Sequence, residues 1–549
     1  MTRARVAILC AAALAVFAAS FALWGHGETF VSPDENANFF FSRTYAETGR
    51  LFVVEPLNVR IGDVLAPRSI LALGGRLVPG GFAGLPFLYG GFARAFGMWV
   101  LPLLTPLLAA ASVIAWAAVC RKLFGGRVGW WSGILLAFHP AWWLYATRGF
   151  MPNVPFTALL IAAAFFLLIR PVAWLQHRHQ KRVVAWMDPA LAGLALGAAL
   201  LIRTVEAPWV LLGLAGVAVW QRRAVTRALA VPFLCGLLLV LAPLPFLNRE
   251  LYGAWYATGY TAGSAQSLPG EWAGLEAERA ETQSLAPWRA ALNAAAAPLF
   301  PFGIHPRRIL VEVKEYGVAM FWWMSVLSAA GLWFVWARRK DSTVHGYFVL
   351  AAFVTLWLAT LYGSWSFADN PDPTKITIGN SHVRYWLPAF VLLTPFAAMT
   401  LDALVSRVRS ARGQVALTAV LTAALLGLDV RAAYLPPSDG IHDNQGALAR
   451  FAAARAFVLE RTEPDAVLIA DRADKFLFPA RPVRYPLRDD RTYALLPRLL
   501  SEAPVYYFGL TLPEKDLRFL NETKLPTFGA RVDPVESIGD ETLYRFSIR

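Results

Sequence analysis

The sequence predicts an all-α polytopic membrane protein of about eleven transmembrane helices, with a small α/β domain at its C-terminal end. Three observations carry this. The chain is 57% hydrophobic and only 16% charged, with a mean hydropathy of +0.46, far more apolar than soluble domains. Its apolar residues fall in runs of bilayer-spanning length. Its lysines and arginines gather in alternate short loops. The net charge of +14 is therefore a matter of membrane topology and implies no nucleic-acid partner. Cys10, Cys120 and Cys235 all lie in apolar runs, so neither a disulfide framework nor a thiolate metal site is indicated.

Arg3 and Arg5 precede the first apolar run, residues 6–24. Its length of about 19 residues is enough to span, and predicts an uncleaved helix with a cytoplasmic N-terminus. Further spans are expected at 97–120, 128–146, 150–169, 189–202, 208–220, 228–247, 318–336, 344–365, 385–404 and 415–430. The loops 121–127, 170–188, 221–227, 337–343 and 406–414 each carry at least three Lys or Arg, whereas the opposing connections 147–149 and 203–207 carry one Arg each. The basic loops belong in the cytoplasm. Residues 1–430 then form a transmembrane module with outer loops 25–96, 248–317 and 366–384. An odd number of spans leaves 431–549 outside, which in a bacterial inner membrane is the periplasm. Irregular, polar sequence concentrated on one face marks that face as the working one. Within 431–549, strands are expected at 466–471, 504–508 and 542–548 and helices at 444–461 and 492–502, an α/β alternation.

The stretch 31–51, VSPDENANFFFSRTYAETGRL, is the first polar sequence after the first span. Ser32 and Pro33 suit a helix start and Gly49 its end. Asp34 and Glu35 then stand at the positive end of a helix dipole, which favours their ionised forms. Such a pair offers a base and a binding group. The plainer reading stands beside it: Ser32-Pro-Asp-Glu35 fits a capping box, in which Glu35 only caps backbone amides.

A first membrane helix, an exposed Asp-Glu at a helix start and a long outer loop together resemble the GT-C superfamily of integral-membrane glycosyltransferases. The chain is similar to the branch that holds the protein O-mannosyltransferases and the lipid A aminoarabinose transferase. Thr147-Arg-Gly-Phe-Met-Pro-Asn-Val-Pro155 resembles that branch's outer turn between the third and fourth helices. Asn248-Arg-Glu-Leu-Tyr-Gly253 with Gly259-Tyr260 resembles its turn after the seventh, and Ser381-His-Val-Arg-Tyr-Trp-Leu-Pro388 its Arg-Tyr-x-x-Pro motif. The match covers roughly residues 1–404. Asn153 departs from it, because many relatives carry Asp there.

The resemblance implies a GT-C-like fold and an inverting transfer of a sugar from a polyprenyl-phosphate donor to a lipid, glycan or protein acceptor, beside membrane lipids. It places Arg148, Asn153, Tyr260 and Tyr385 among the substrate-binding positions. The chemistry has its own requirements. An attacking hydroxyl or amine must lose a proton, and Asp34 is the candidate base, with Glu35 beside it to orient a sugar hydroxyl or a cation. A departing lipid phosphate needs cations and amide donors, and Arg384, His305, Arg307, Arg308 and Arg203 are the candidates. For each arginine the plainer reading is an interface anchor or a carboxylate partner; Arg203 and Glu206 are spaced to pair with each other. No His or Cys cluster suits a tightly held zinc. Asp63, Asp369 and Asp372 are the residues that could hold a weakly bound divalent cation, although Asp369-Asn-Pro-Asp-Pro373 also reads as a turn. Two other functions fit a chain of this kind: a secondary transporter or lipid flippase, marked by repeats and midplane charges, and a non-catalytic scaffold.

Overall fold

The computed structural model describes residues 2–23, 28–169, 186–223, 225–265, 287–337, 341–367, 369 and 375–549. Most of the expected basic loop 170–188, the middle of the second outer loop and Asp372 lie outside the described residues. The chain forms two compact units. One comprises Met1–Trp24, Pro102–Pro243 and Thr282–Asp443; the other comprises Gly25–Leu101, Leu244–Glu281 and Asn444–Arg549. The division differs from a boundary at 430. The first outer loop and part of the second group with the C-terminal residues, because their apolar side chains share cores with its sheet.

The expected apolar segments are largely helical among the described residues, but fewer unbroken spans result. Six helices are long and apolar enough to cross a bilayer: Arg3–Leu23, Met98–Phe124, Arg227–Tyr252, Ser342–Gly363, Leu387–Ser406 and Ala411–Tyr434. Two bent pairs would bring the number to eight among the described residues, Met187–Ile202 with Thr204–Trp220 at 113° and Pro306–Ala319 with Trp322–Ala337 at 96°. The breaks have local causes. The expected span 128–146 divides at His139, whose imidazole caps the helix Pro140–Thr147 by accepting from the Ala141 amide, with Pro140 at the first position. The 113° bend falls at Arg203, whose backbone leaves the helical region just before a helix with proline in its first turn. A π-helical turn, Val313–Ala319, precedes the 96° bend. Where helices meet closely, glycine allows it. A Cβ on Gly193 would lie 1.9 Å from the Phe233 carbonyl oxygen, and one on Gly236 2.3 Å from that of Ala190, so Met187–Ile202 and Arg227–Leu241 touch backbone to backbone.

The second unit holds two sheets. β1 (Val53–Val54), β2 (Ile70–Leu73) and β3 (Arg76–Pro79) form an antiparallel sheet in the order β1-β3-β2. The β2–β3 turn is Gly74-Gly75, both at positive φ, and their amides each donate to Asp63 at 2.7 Å. The larger sheet contains β4 (Val467–Ala470), β5 (Val483–Arg484), β6 (Val505–Leu510), β7 (Ala530–Ile538) and β8 (Glu541–Ile548), in the order β5-β4-β6-β8-β7. β5, β4 and β6 run parallel, and β8 and β7 antiparallel.

The central strands read as continuous apolar runs because both faces are covered. Leu468, Ala470, Tyr506 and Phe508 face one core, which also holds Ala37, Phe41, Ile70, Val78 and Leu251 from the outer loops. Val467, Ile469, Val505 and Tyr507 face the other, with Leu57, Ile61 and Leu65 from the first loop. The first outer loop thus supplies apolar cover to both faces of the C-terminal sheet.

One ion pair fastens this arrangement. Arg68 donates from Nη2 to Asp474 Oδ1 at 2.6 Å and from Nε to Oδ2 at 3.0 Å, and its own amide reaches Oδ2 at 2.9 Å. The Asp474 side chain is fully buried and that of Arg68 is 18% exposed. Removing one partner from such a pair strands the other charge. Asp474→Ala is expected to lower the unfolding free energy of this unit by about 3 kcal/mol in chemical denaturation. Glu502→Ala, which breaks the exposed pair with Arg60, is expected to cost about 0.5 kcal/mol. Equal effects of the two changes would refute the anchoring role of Asp474.

Candidate active site

Asp34 is set by local sequence. Helix Pro33–Thr48 starts at Ser32, with the reciprocal capping box complete: the Ser32 hydroxyl accepts from the Asp34 amide at 3.2 Å, and the Ser32 amide donates to Glu35 Oε2, also at 3.2 Å. Gly49, at φ +75, closes its far end. Glu35 is buried and serves the cap. Asp34 is half-buried, and its Oδ1 accepts from the Ser69 hydroxyl at 2.6 Å. Tyr260 belongs to the same unit. Its ring packs on Phe82 at 5.0 Å, while Gly259 fits against the backbone of Gly80 and Tyr252 donates to the Pro79 carbonyl at 2.8 Å. The residues 248–260 thereby brace the turn that follows β3.

The candidate phosphate-binding residues lie in the other unit, around two tyrosines. Tyr362 and Tyr385 stack at 4.4 Å, and the Tyr385 ring has Arg203 at 4.7 Å and Arg384 at 5.0 Å from its centroid. Arg384 donates from Nη2 to Ser381 Oγ at 2.7 Å, and its Nη1 reaches Met151 Sδ at 3.3 Å. That contact joins the Thr147–Pro155 motif to the Ser381–Pro388 motif. Arg203 is committed elsewhere. Its Nη2 donates to Glu206 Oε1 at 2.6 Å and to the Tyr362 hydroxyl at 2.9 Å, while Glu206 also accepts from Tyr362 and from Trp209 Nε1, each at 2.6 Å. All of these bonds are buried, as a carboxylate and a guanidinium at a helix break require.

Short contacts place the remaining candidates. Arg308 Nη1 donates to the Ser364 carbonyl at 3.2 Å and the His305 amide to the Ser364 hydroxyl at 3.3 Å, so the loop before Arg308 is pinned to the end of the Ser342–Gly363 helix. Arg307 is exposed. Arg148 is buried, with its guanidinium 5.8 Å from the Tyr145 ring centroid. Asn153 is buried at the start of helix Asn153–Leu168, and its Oδ1 has no hydrogen-bond partner among the described residues. His382 lies in the short helix Ser381–Tyr385. Burial pushes its imidazole down to about 4, and the ring stands with Nε2 3.1 Å from the carbonyls of Tyr362 and Trp365 and Nδ1 2.9 Å from Asn380 Oδ1.

Among the residues considered for a cation, Asp63 holds the β2–β3 turn and Asp369 accepts from the Ser381 amide at 2.7 Å. They belong to different units, and no group of three or more His, Cys, Asp or Glu converges among the described residues. Sequence reasoning missed Ser69 and Tyr362, and held Met151 only within the Thr147–Pro155 motif, because their partners are distant in the chain.

The fold of the chain is similar to those of solved membrane-protein structures of low sequence identity. The structure of ArnT from Cupriavidus metallidurans bound to undecaprenyl phosphate matches with a TM-score of 0.51 at 13% identity, covering 99% of this chain and 98% of that one. The oligosaccharyltransferase AglB from Archaeoglobus fulgidus, in complex with an inhibitory peptide and a dolichol-phosphate, matches with a TM-score of 0.52 at 12% identity, covering 96% and 72%. The Archaeoglobus fulgidus enzyme tethered to an acceptor peptide matches equally well, at 0.52 and 12%. No protein-family model and no curated protein sequence matches the chain.

Glu206 is the hub of the buried polar cluster. Glu206→Ala is expected to lower thermal stability in detergent by the equivalent of about 3–5 kcal/mol, because Arg203 is left as an uncompensated buried charge. Restored stability in the double variant Arg203→Met with Glu206→Ala would accord with this. An unchanged melting temperature for Glu206→Ala alone would show that the cluster carries no such charge balance.

Proposed function

We propose that this protein is an inverting glycosyltransferase that moves a sugar from a polyprenyl-phosphate donor to an acceptor on the periplasmic face of a bacterial inner membrane. The observation that carries the reading is the fold match over 99% of this chain and 98% of an undecaprenyl-phosphate-bound transferase. Asp34, held at a capped helix start, supports it independently.

In this reading an acceptor hydroxyl or amine attacks the anomeric carbon from the face opposite the phosphate. The new glycosidic bond forms as the bond to the phosphate oxygen breaks. The acceptor proton passes to Asp34, and the lipid phosphate leaves with the bonding pair. Arg384 is the donor-phosphate group, because its guanidinium sits on an aromatic platform and next to hydroxyls. Arg203, neutralised by Glu206, holds Tyr385 and Tyr362 in place. Glu35 is kept as a binding group secondary to its capping role.

The topology belongs to the same proposal: eleven crossings, the N-terminus cytoplasmic and the residues after 430 periplasmic. The basic loops support it. A reporter active only in the periplasm, fused after Arg549, is expected to be active. Activity only of a cytoplasmic reporter there would remove a crossing and overturn the orientation.

The reaction is tested by incubating purified protein with synthetic undecaprenyl-phosphate sugars and acceptor lipids, and measuring release of lipid phosphate. Asp34→Asn keeps size and helix-start compatibility but removes basicity, and turnover is expected to drop by about 10²–10⁴-fold with folding intact. Glu35→Gln, which keeps the capping box, is expected to lose activity only in part. Arg384→Ala is expected to raise the KM for the lipid donor. Near-normal transfer by Asp34→Asn would remove Asp34 as the base.

A further inference from the structure

The geometry points to Ser69 as a positioning residue for the Asp34 carboxylate, held in register by residues 472–478 of the C-terminal α/β domain. This rests on the reading of Asp34 as the base.

Ser69 is one of two non-glycine residues with positive φ among the described residues, at +62°. L-residues with a side chain rarely adopt that region, and serine has no special liking for it. The strain is maintained from two sides. The Ser69 carbonyl accepts from the Gly80 amide at 2.9 Å. Gly80 can approach because it lacks a side chain: a Cβ there would stand 2.7 Å from the Ser69 carbonyl carbon and 2.8 Å from its oxygen. Gly259 backs Gly80 in the same way, since its own Cβ would lie 2.4 Å from the Gly80 carbonyl carbon. On the other side the preceding residue, Arg68, is locked by Asp474 through its amide and its guanidinium, with Nη2 also reaching the Arg472 carbonyl at 3.3 Å.

The same short segment holds the other partner of the hydrogen bond. Lys475 Nζ donates to the Val31 carbonyl at 3.0 Å, just ahead of the Ser32 cap. Asn36 Nδ2 donates to the Phe478 carbonyl at 3.2 Å, and Phe478 packs edge-on against Phe40 at 4.8 Å. Residues 472–478 therefore grip both the helix that carries Asp34 and the turn that carries Ser69. Anchoring the loop needs Arg68 and Gly80, but not a hydroxyl at position 69. A glycine there would take the same backbone without strain. What serine adds is one O–H donor, aimed at Asp34 Oδ1 at 2.6 Å. Such a donor fixes the carboxylate's rotamer and favours its ionised, proton-accepting form. Strain that serves a single hydrogen bond to a reacting group is the pattern of a functional site.

The test is Ser69→Gly, alone and combined with Asp34→Asn, in the full-length protein with synthetic undecaprenyl-phosphate sugars. Glycine retains the backbone, so thermal stability is expected to be preserved or improved. Turnover is expected to fall by about 10- to 100-fold with the KM for donor unchanged. A carboxylate that loses a hydrogen-bond donor is harder to ionise, so the acidic limb of kcat/KM is expected to move to higher pH. In the Asp34→Asn background the Ser69→Gly change is expected to have no further effect. Wild-type turnover and an unmoved acidic limb in Ser69→Gly, with Asp34→Asn inactive, would overturn the positioning role and leave the base assignment standing. An equal loss in both backgrounds would do the same. Full activity of Asp34→Asn would instead bring down the base assignment, and the positioning role with it.

Discussion

The second unit depends on the bond between Arg68 and Asp474, residues 406 positions apart. A guanidinium and a carboxylate are costly to bury singly, and they repay burial only when their hydrogen bonds are met in a fixed geometry. Arg68 meets that condition with a forked contact plus its own backbone amide. The consequence is positional. The start of β2, the hairpin after it and the turn at Gly80 all follow from where Arg68 is held. The carboxylate end of the pair sits just beyond β4, at the carboxyl ends of parallel strands, where open α/β sheets ordinarily receive ligands. In this chain that position receives the chain's own arginine.

What the sequence made legible was local or strongly compositional. The helix Pro33–Thr48 could be read with its cap and its end because Ser32, Glu35 and Gly49 signal at short range. The Arg203–Glu206 pair was visible from its spacing, but Tyr362, 159 residues from Arg203, was not. β4, β6 and β8 could be read as apolar runs. β1 and β5 are two residues each and carry no periodicity, and β7 is a polar edge strand with a shift of register at Pro534. The Asp34–Ser69 bond and the Arg68–Asp474 pair were hidden because each partner, alone, looks like ordinary polar loop sequence. The apolar segments themselves were found, but hydropathy counts length and is blind to the breaks at His139 and Arg203, where a proline or an extended residue interrupts the run.

Those breaks are where the first unit keeps its polar chemistry. A helix that stays intact through lipid satisfies its backbone and leaves little to work with. At the 113° bend, Arg203, Tyr362 and Trp209 gather around the Glu206 carboxylate. Tyr385 extends the cluster to Arg384, and Met151 ties in the turn ahead of Asn153. The loss of regular helix is thus matched by a gain in side-chain hydrogen bonds, and the aromatic rings give the guanidinium groups flat, apolar surfaces to rest on.

The capping box of helix Pro33–Thr48 separates two neighbouring carboxylates by duty. Glu35 closes the box with its side chain, whereas Asp34 donates to the Ser32 hydroxyl from its backbone amide. The side chain of Asp34 is bonded instead to a hydroxyl that is itself held from elsewhere in the unit. Were Asp34 to take up a proton, neither of the two cap bonds would need to break, because neither uses its side chain. The helix start still feels the charge of Asp34 through its dipole, but these two cap bonds do not depend on it.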